Sequence, residues 1–340
     1  VNLAAYVVRR ILFSIFVLFC VLIITFTLSH LVGGDPVIAW LGREAALQPG
    51  LASQYTILFH LRSPLYIQFY YYVINLVHGN LGLSPIRGNI PVLVVLEQTF
   101  PYTLQIAFFA YIFTLLLGII LGVLAARYHH TKADFGIRAF YIGTVASPSF
   151  FVALILIIVF AYKLGIFPSG LAYSPFVNPP TAITGIPMLD SLIEGNWSYF
   201  WSALYHVLLP SFTLAMVSFG IITRVLRSSM LDVMQAPYIR TARAKGLSES
   251  QVFYKHGLRN ALIPVVTLST LMVTWLITGT IFVENIYAYP GLGQYLVQAL
   301  AGLDYPGIMA TTILFAVIIV TSNLVADILY AFADPQIRLG

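Results

Sequence analysis

"YIRTARAKGLSESQVFYKHGLRNALIP", residues 238–264, carries five Arg or Lys in 27 residues. The whole chain of 340 residues is only 9% charged and 59% hydrophobic, and this basic run lies between two of its most apolar stretches. Pro237, just ahead of it, can open a helix, because its missing N–H would go unpaired in a first turn anyway. Lys245 suits the negative end of that helix, and Gly246 supplies a left-handed stop. Ser248 then caps a second helix, Gln251 completes a capping box, and Leu247 with Val252 makes a hydrophobic staple. The stretch predicts two helices joined by a fixed corner, feeding through "HGLRNALIP" into an apolar run. The first helix, about nine residues, is shorter than the roughly 12–15 that an isolated helix needs in water. It must pack against something. Thr241, Ala242 and Ala244 are small enough to admit a partner backbone, and Arg240, Arg243 and Lys245 offer charge to acidic groups. The apolar face (Ile239, Ala242, Leu247) is thin for a helix lying on lipid headgroups, so a protein socket is expected.

Soluble domains carry about 25% charged residues, so this composition belongs to a membrane protein. Six stretches are apolar over the roughly 20 residues that cross a bilayer, at 9–31, 101–126, 138–162, 205–226, 262–283 and 308–332. The first is too long and uncharged for a signal peptide and is expected to remain as a span. The fold class predicted is an all-α membrane protein of six transmembrane helices. With the N-terminus inside, thirteen of the seventeen Lys and Arg fall on cytoplasmic segments, and only Arg43, Arg62, Arg87 and Lys163 fall outside. Both termini are therefore expected in the cytoplasm. The net charge of +5 follows from those basic loops and calls for a lipid bilayer, not nucleic acid, as partner. Cys20, the one cysteine, cannot form an internal disulfide.

Residues 1–340 read as one transmembrane domain, with a cytoplasmic loop at 227–261 and long outer segments at 33–98 and 163–204. In the first of these, "RSPLYIQFYYYVINLVHG" offers Ser63 as a cap, Pro64 for the first turn and Gly79 as a stop. Its tyrosines suit a helix in the membrane interface. The second holds the Pro-rich "SPFVNPPTAITGIP", which cannot sustain a helix.

The pieces resemble, in order, a known family. "YIRTARAKG…HGLRNALIP" is similar to the cytoplasmic coupling loop of binding-protein-dependent ABC importer permeases of the dipeptide/oligopeptide type. Arg240 stands where the loop more widely has Glu. "YVVRRILFSIFVLFCVLIITFTLSHLVGGDP" resembles the family's first span, and "SPSFFVALILIIVFAYKLGIFPSG" its third. "LLPSFTLAMVSFGIITRVLRSSMLDV" resembles the approach to the coupling loop, while "VENIYAYPGLGQYLVQAL…DYP" and "ADILYAFADPQIR" resemble the end. The resemblance implies a type I ABC importer permease fold in the cell membrane. It also implies a second homologous permease subunit, an extracytoplasmic binding protein, and two cytoplasmic ATPase subunits that bind ATP and Mg. The coupling-loop residues Arg240, Thr241, Ala242, Arg243, Ala244, Lys245, Gly246 and Leu247 would meet an ATPase. No Gly-Lys dipeptide occurs, so the chain has no Walker A loop of its own and no cofactor is expected on it. The outer loop 171–199 is richer in Pro than peptide permeases lead one to expect, which leaves oligosaccharides open beside di- and oligopeptides as substrate.

A secondary transporter or channel is the rival, and it would place several ionisable groups at mid-membrane. This chain offers Asp327 with Asn323 one turn earlier, and Glu284. Catalytic and metal-binding residues are not expected: His129 and His130 are adjacent, and there is no His-Glu-x-x-His. A path for polar solutes needs hydrogen-bonding or aromatic groups. The candidates are Ser147, Ser149, Thr274, Trp275 and Thr278, with Asn323 and Asp327. Trp275, the bulky polar-tipped residue deep in the fifth span, is the first choice.

Overall fold

The computed structural model describes residues 3–31 and 35–333, with side chains for all of these except 3–7, 31, 43, 44 and 327–333. Nearly all of the described chain is helical; the one sheet among the described residues is a two-stranded hairpin, β1 (Leu83–Ser84) against β2 (Ile90–Pro91). Four helices are long and apolar enough to cross a membrane unbroken: Val8–His30 within α1 (Leu3–Leu31), α5 (Val92–Arg127), α14 (Ile263–Ile286) and Tyr305–Ala326 within α16 (Tyr305–Ala333). Two more spans are bent pairs. The helix α6 (Lys132–Ala146) meets α7 (Ser149–Leu156) and its continuation at 110°, and α9 (Trp197–Met216) meets α10 (Phe219–Val233) at 52°. Six spans result when each pair is one crossing.

The expected single helix over 138–162 is therefore corrected to two. Pro148 disfavours the helical region at Ser147, which is extended (φ −84°, ψ 136°), and α7 starts afresh after Pro148. The second span is also longer than expected. α5 begins at Val92 and carries Pro101 inside it; its 36 residues would reach about 54 Å at 1.5 Å per residue. Two stretches wind as π-helices, Ile157–Lys163 after α7 and Val252–Leu258 ahead of α14.

The chain forms two compact units. In the first (residues 1–103, 180–195 and 289–340), α1 packs on α16, and α15 (Leu292–Gly302) packs on α16. Between the first span and β1 lie α2 (Pro36–Ala46), α3 (Pro49–Leu58) and α4 (Leu65–Val77). With α1 and α16 they share a core of Phe26, Trp40, Phe59, Tyr72 and Tyr305, with Met309 among the rings. Gln68 donates to the carbonyls of Leu61 and Ser63, and Asn75 to those of Leu58 and Tyr71, so the irregular chain before α4 is held by side-chain amides. The expected cap at Ser63 is corrected: Pro64 is the cap residue of α4 and no side chain caps it. The tyrosines of α4 divide, with Tyr66 and Tyr70 exposed and Tyr72 in the core. Asp304 caps α16, accepting from Gly307 N at 2.8 Å and from the Ser84 hydroxyl. Within the segment 180–195, α8 (Pro187–Glu194) follows the Pro-rich stretch.

The second unit (104–179 and 196–288) holds the remainder of α5, both bent pairs and α14. α5 and α10 touch closely: a Cβ on Gly118 would lie 2.6 Å from Ile222, so only glycine fits there. Leu226, Met230, Ala261 and Val265 continue that contact toward the basic stretch.

Candidate functional site

The basic stretch folds as a compact corner. α11 (Pro237–Ala244) starts on Pro237, ends at Lys245, and turns on Gly246 at φ 77°. Ser248 and Gln251 form the capping box of α12 (Glu249–Gln251). Gln251 N–H donates to the Ser248 hydroxyl oxygen at 3.4 Å, and Ser248 N–H donates to the Gln251 side-chain oxygen Oε1 at 3.3 Å. After the π-helix comes α13 (Arg259–Ala261), directly ahead of α14. Ile239, Ala242 and Val252 bury one another, with Met234, Ala236 and Leu247 around them.

This changes the expectation for the apolar face of α11. Ala242 is not available to a partner backbone, because it is spent inside the corner beside Ile239 and Val252. Arg243 likewise finds its acid within the chain: its Nε donates to Glu249 at 2.8 Å. The outward face is left with Arg240, Thr241, Ala244 and Lys245, all exposed, and with exposed Gly246 at the turn; Leu247 is half-buried. Two further bonds tie the corner to its surroundings. Asn260 donates to the Tyr238 hydroxyl at 2.9 Å, and Arg127 donates to the Tyr254 hydroxyl at 2.7 Å.

A groove of about 350 Å³ opens where α6 breaks from α7, and α9 and α14 complete its walls. Ser147, Pro148, Ser149, Trp275, Thr278 and Phe282 line it. Four of the seven path candidates therefore come together: Ser147, Ser149, Trp275 and Thr278. The Ser147 hydroxyl donates to Gly143 O at 2.8 Å, and that of Thr278 donates to Thr274 O at 3.1 Å. Their hydrogens are spent on their own helices, which leaves oxygen lone pairs to accept from a ligand. Trp275 is 56% exposed, and its indole N–H is a donor. Thr274 is not among the lining residues. Asn323 lies on α16 in the first unit, and the side chain of Asp327 falls outside the described residues. Glu284 is wholly buried near the end of α14. Among the described residues no three His, Cys, Asp or Glu gather as metal ligands could.

The sequence reading missed a pair that joins α6 to α10. Arg227 on α10 donates from Nε and from a terminal nitrogen to the two oxygens of Asp134 on α6. The signal was weak: an acid in the first turn of a helix reads as a dipole partner, and Arg227 as one more basic loop residue. Arg224 and Arg227 both lie inside α10.

Residues 118–339 match the family described as "Binding-protein-dependent transport system inner membrane component". Over 322 residues, the chain is 40% identical to a probable D,D-dipeptide transport system permease protein of Escherichia coli K12, covering 94% of this chain and 93% of that one. It is 38% identical to an oligopeptide transport system permease protein of Bacillus subtilis 168, covering 99% and 100%. A di/tripeptide transport system permease protein of Pseudomonas aeruginosa is 36% identical, covering 98% of each chain.

Proposed function

The chain belongs to the family of binding-protein-dependent transport system inner membrane components, and from that membership we propose that it is the permease subunit of an ABC importer of di- and oligopeptides. The observation that carries this reading is the conjunction of the cationic corner at 237–251 with the hydroxyl- and indole-lined groove at the α6–α7 break. Both lie in one compact unit, and α14, which follows the corner and packs on α10, lines the groove. A push on the corner would thus reach the groove walls through packed helices.

In this reading a partner ATPase binds ATP and Mg, and its socket receives the face of Arg240, Thr241, Ala244 and Lys245. The groove oxygens accept from peptide N–H groups, and the Trp275 N–H donates to a peptide carbonyl, so a solute leaving water keeps its hydrogen bonds. A second permease subunit supplies the opposing wall, and an extracytoplasmic binding protein delivers the peptide. The test is uptake into proteoliposomes holding this chain with its partner permease, ATPases and binding protein. Labelled dialanine should accumulate only with ATP inside and binding protein outside. Accumulation of a labelled oligosaccharide instead of the peptide would refute the substrate assignment, and uptake without ATP would refute the importer mechanism.

A further inference from the structure

Arg224 differs from the arginine one turn after it. Arg227 is engaged by Asp134. Arg224 is exposed, on the same helix, and no acid, acceptor or ring engages it among the described residues. It lines a depression of about 290 Å³ with Tyr141, Ile142, Val145, Ala146 and Gly220. Val145 also borders the groove of Trp275 and Thr278, so the two hollows lie on either side of this one residue near the end of α6. Among the residues lining either, Arg224 alone is charged.

A guanidinium stays ionised throughout the physiological range. Placed in a bent span, it requires an anion or water to be tolerated. Its planar fork matches a carboxylate through two parallel N–H···O bonds. The neighbouring groove offers neutral acceptors and one indole donor, which suit amide groups and not a full negative charge. A neutral section next to a section with one cation is the pattern of a chain of amides that ends in a carboxylate. Every unmodified peptide has that pattern.

We propose that Arg224 is a specificity-determining residue of the translocation path that binds the C-terminal carboxylate of a peptide lying along the Trp275–Thr278 groove. This rests on the peptide-import reading above. It makes the path directional: the carboxyl end is the one held beside α10.

The test compares uptake of trialanine with uptake of its C-terminal amide by the complete transporter in proteoliposomes. The loaded binding protein is held saturating and unaltered, so its own preference cancels between permease variants. Wild type should favour the free acid. Arg224→Gln should reduce that preference about tenfold, since a hydrogen-bonded charge pair is worth that much in rate or affinity; Arg224→Lys should restore part of it. An unchanged acid-to-amide ratio in Arg224→Gln would overturn the proposal, as would an equal fall for both substrates, which is the outcome of a structural role. A wild-type preference that vanishes when anionic lipid is left out of the vesicles would also overturn it, assigning Arg224 to lipid headgroups. Import of an oligosaccharide with neither form of trialanine transported would overturn the peptide reading itself and this proposal with it.

Discussion

Arg227 holds Asp134 side-on, Nε to one carboxylate oxygen and a terminal nitrogen to the other, each at 2.7 Å across 93 residues of sequence. The Asp134 side chain has no exposed surface and that of Arg227 is 17% exposed, with Arg138 adding a longer contact at 3.4 Å. Removing one partner strands a buried charge, which costs about 3–5 kcal/mol; the solvent that reaches Arg227 puts the cost here at the low end. Arg227→Met should therefore lower the thermal midpoint of the purified chain clearly, and Asp134→Leu in the same background should recover much of the loss. Melting curves of the two singles and the double decide it; a double variant as weak as the sum of the singles would mean that the pair is not coupled.

Gly246 turns the basic corner at φ 77°, and a Cβ there would meet nothing within 4 Å. The cost of a side chain is thus one of backbone conformation only. Gly246→Val should cost about 1 kcal/mol or more and tilt α11 against α12, while Gly246→Asn should be milder, since Asn tolerates the left-handed region. Co-purification with the ATPase subunits should fall in the order Gly, Asn, Val, with membrane insertion unchanged.

Trp275→Ala removes the groove's indole donor and most of its aromatic wall. Uptake should drop severalfold, and ATPase stimulation by the loaded binding protein should loosen, with assembly intact because the residue lies away from the corner. Uptake at the wild-type rate would return Trp275 to a lipid-facing role.

Orientation is open to direct labelling. Phe176 and Ser250 are both exposed, and the distribution of basic residues puts them on opposite sides. In a Cys20→Ser background, Phe176→Cys should react with an impermeant maleimide in intact cells, and Ser250→Cys only after lysis.

Asp190 is buried, which opposes its charge, but the Thr184 hydroxyl and the N–H groups of Thr184 and Gly185 donate to it and outweigh burial, holding its carboxyl below the usual range. A carboxyl depressed in the folded state stabilises above its unfolded pKa, about 3.9, and that contribution is lost as pH falls through the lower folded value. Amide exchange over 181–195 should accordingly be as slow at pH 5 as at pH 7, after correction for intrinsic rates, and rise below pH 4. Asp190→Ala should exchange fast at every pH.

Local signals in the sequence were read well where their cause is local. Pro237, Gly246, Ser248 and Gln251 act on residues within four positions, so the corner was legible in detail. The number of crossings followed from apolar length, and the basic face of α11 from composition. What escaped notice depends on partners far along the chain. Ala242 looked free because Val252, ten residues on, covers it only once the corner closes. The groove could be guessed from Ser147, Ser149, Trp275 and Thr278 as residue types, but Thr274, one position from Trp275, points elsewhere by helical phase. The break at Ser147–Pro148 was written in the proline, yet apolar continuity through 138–162 outweighed it in the reading.

The π-helix at Val252–Leu258 bears on how this family can vary in length. An α-helix has no slack, so deleting one residue from it rotates everything downstream by about 100°. A π turn holds a surplus residue, and its loss can be absorbed by rewinding to α. Between the corner and α14, residues 252–258 are thus where a one-residue deletion leaves Trp275 and Thr278 in phase, whereas the same deletion at 263–274 would turn both out of the groove. Natural gaps between homologues, and engineered ones, should collect in that window.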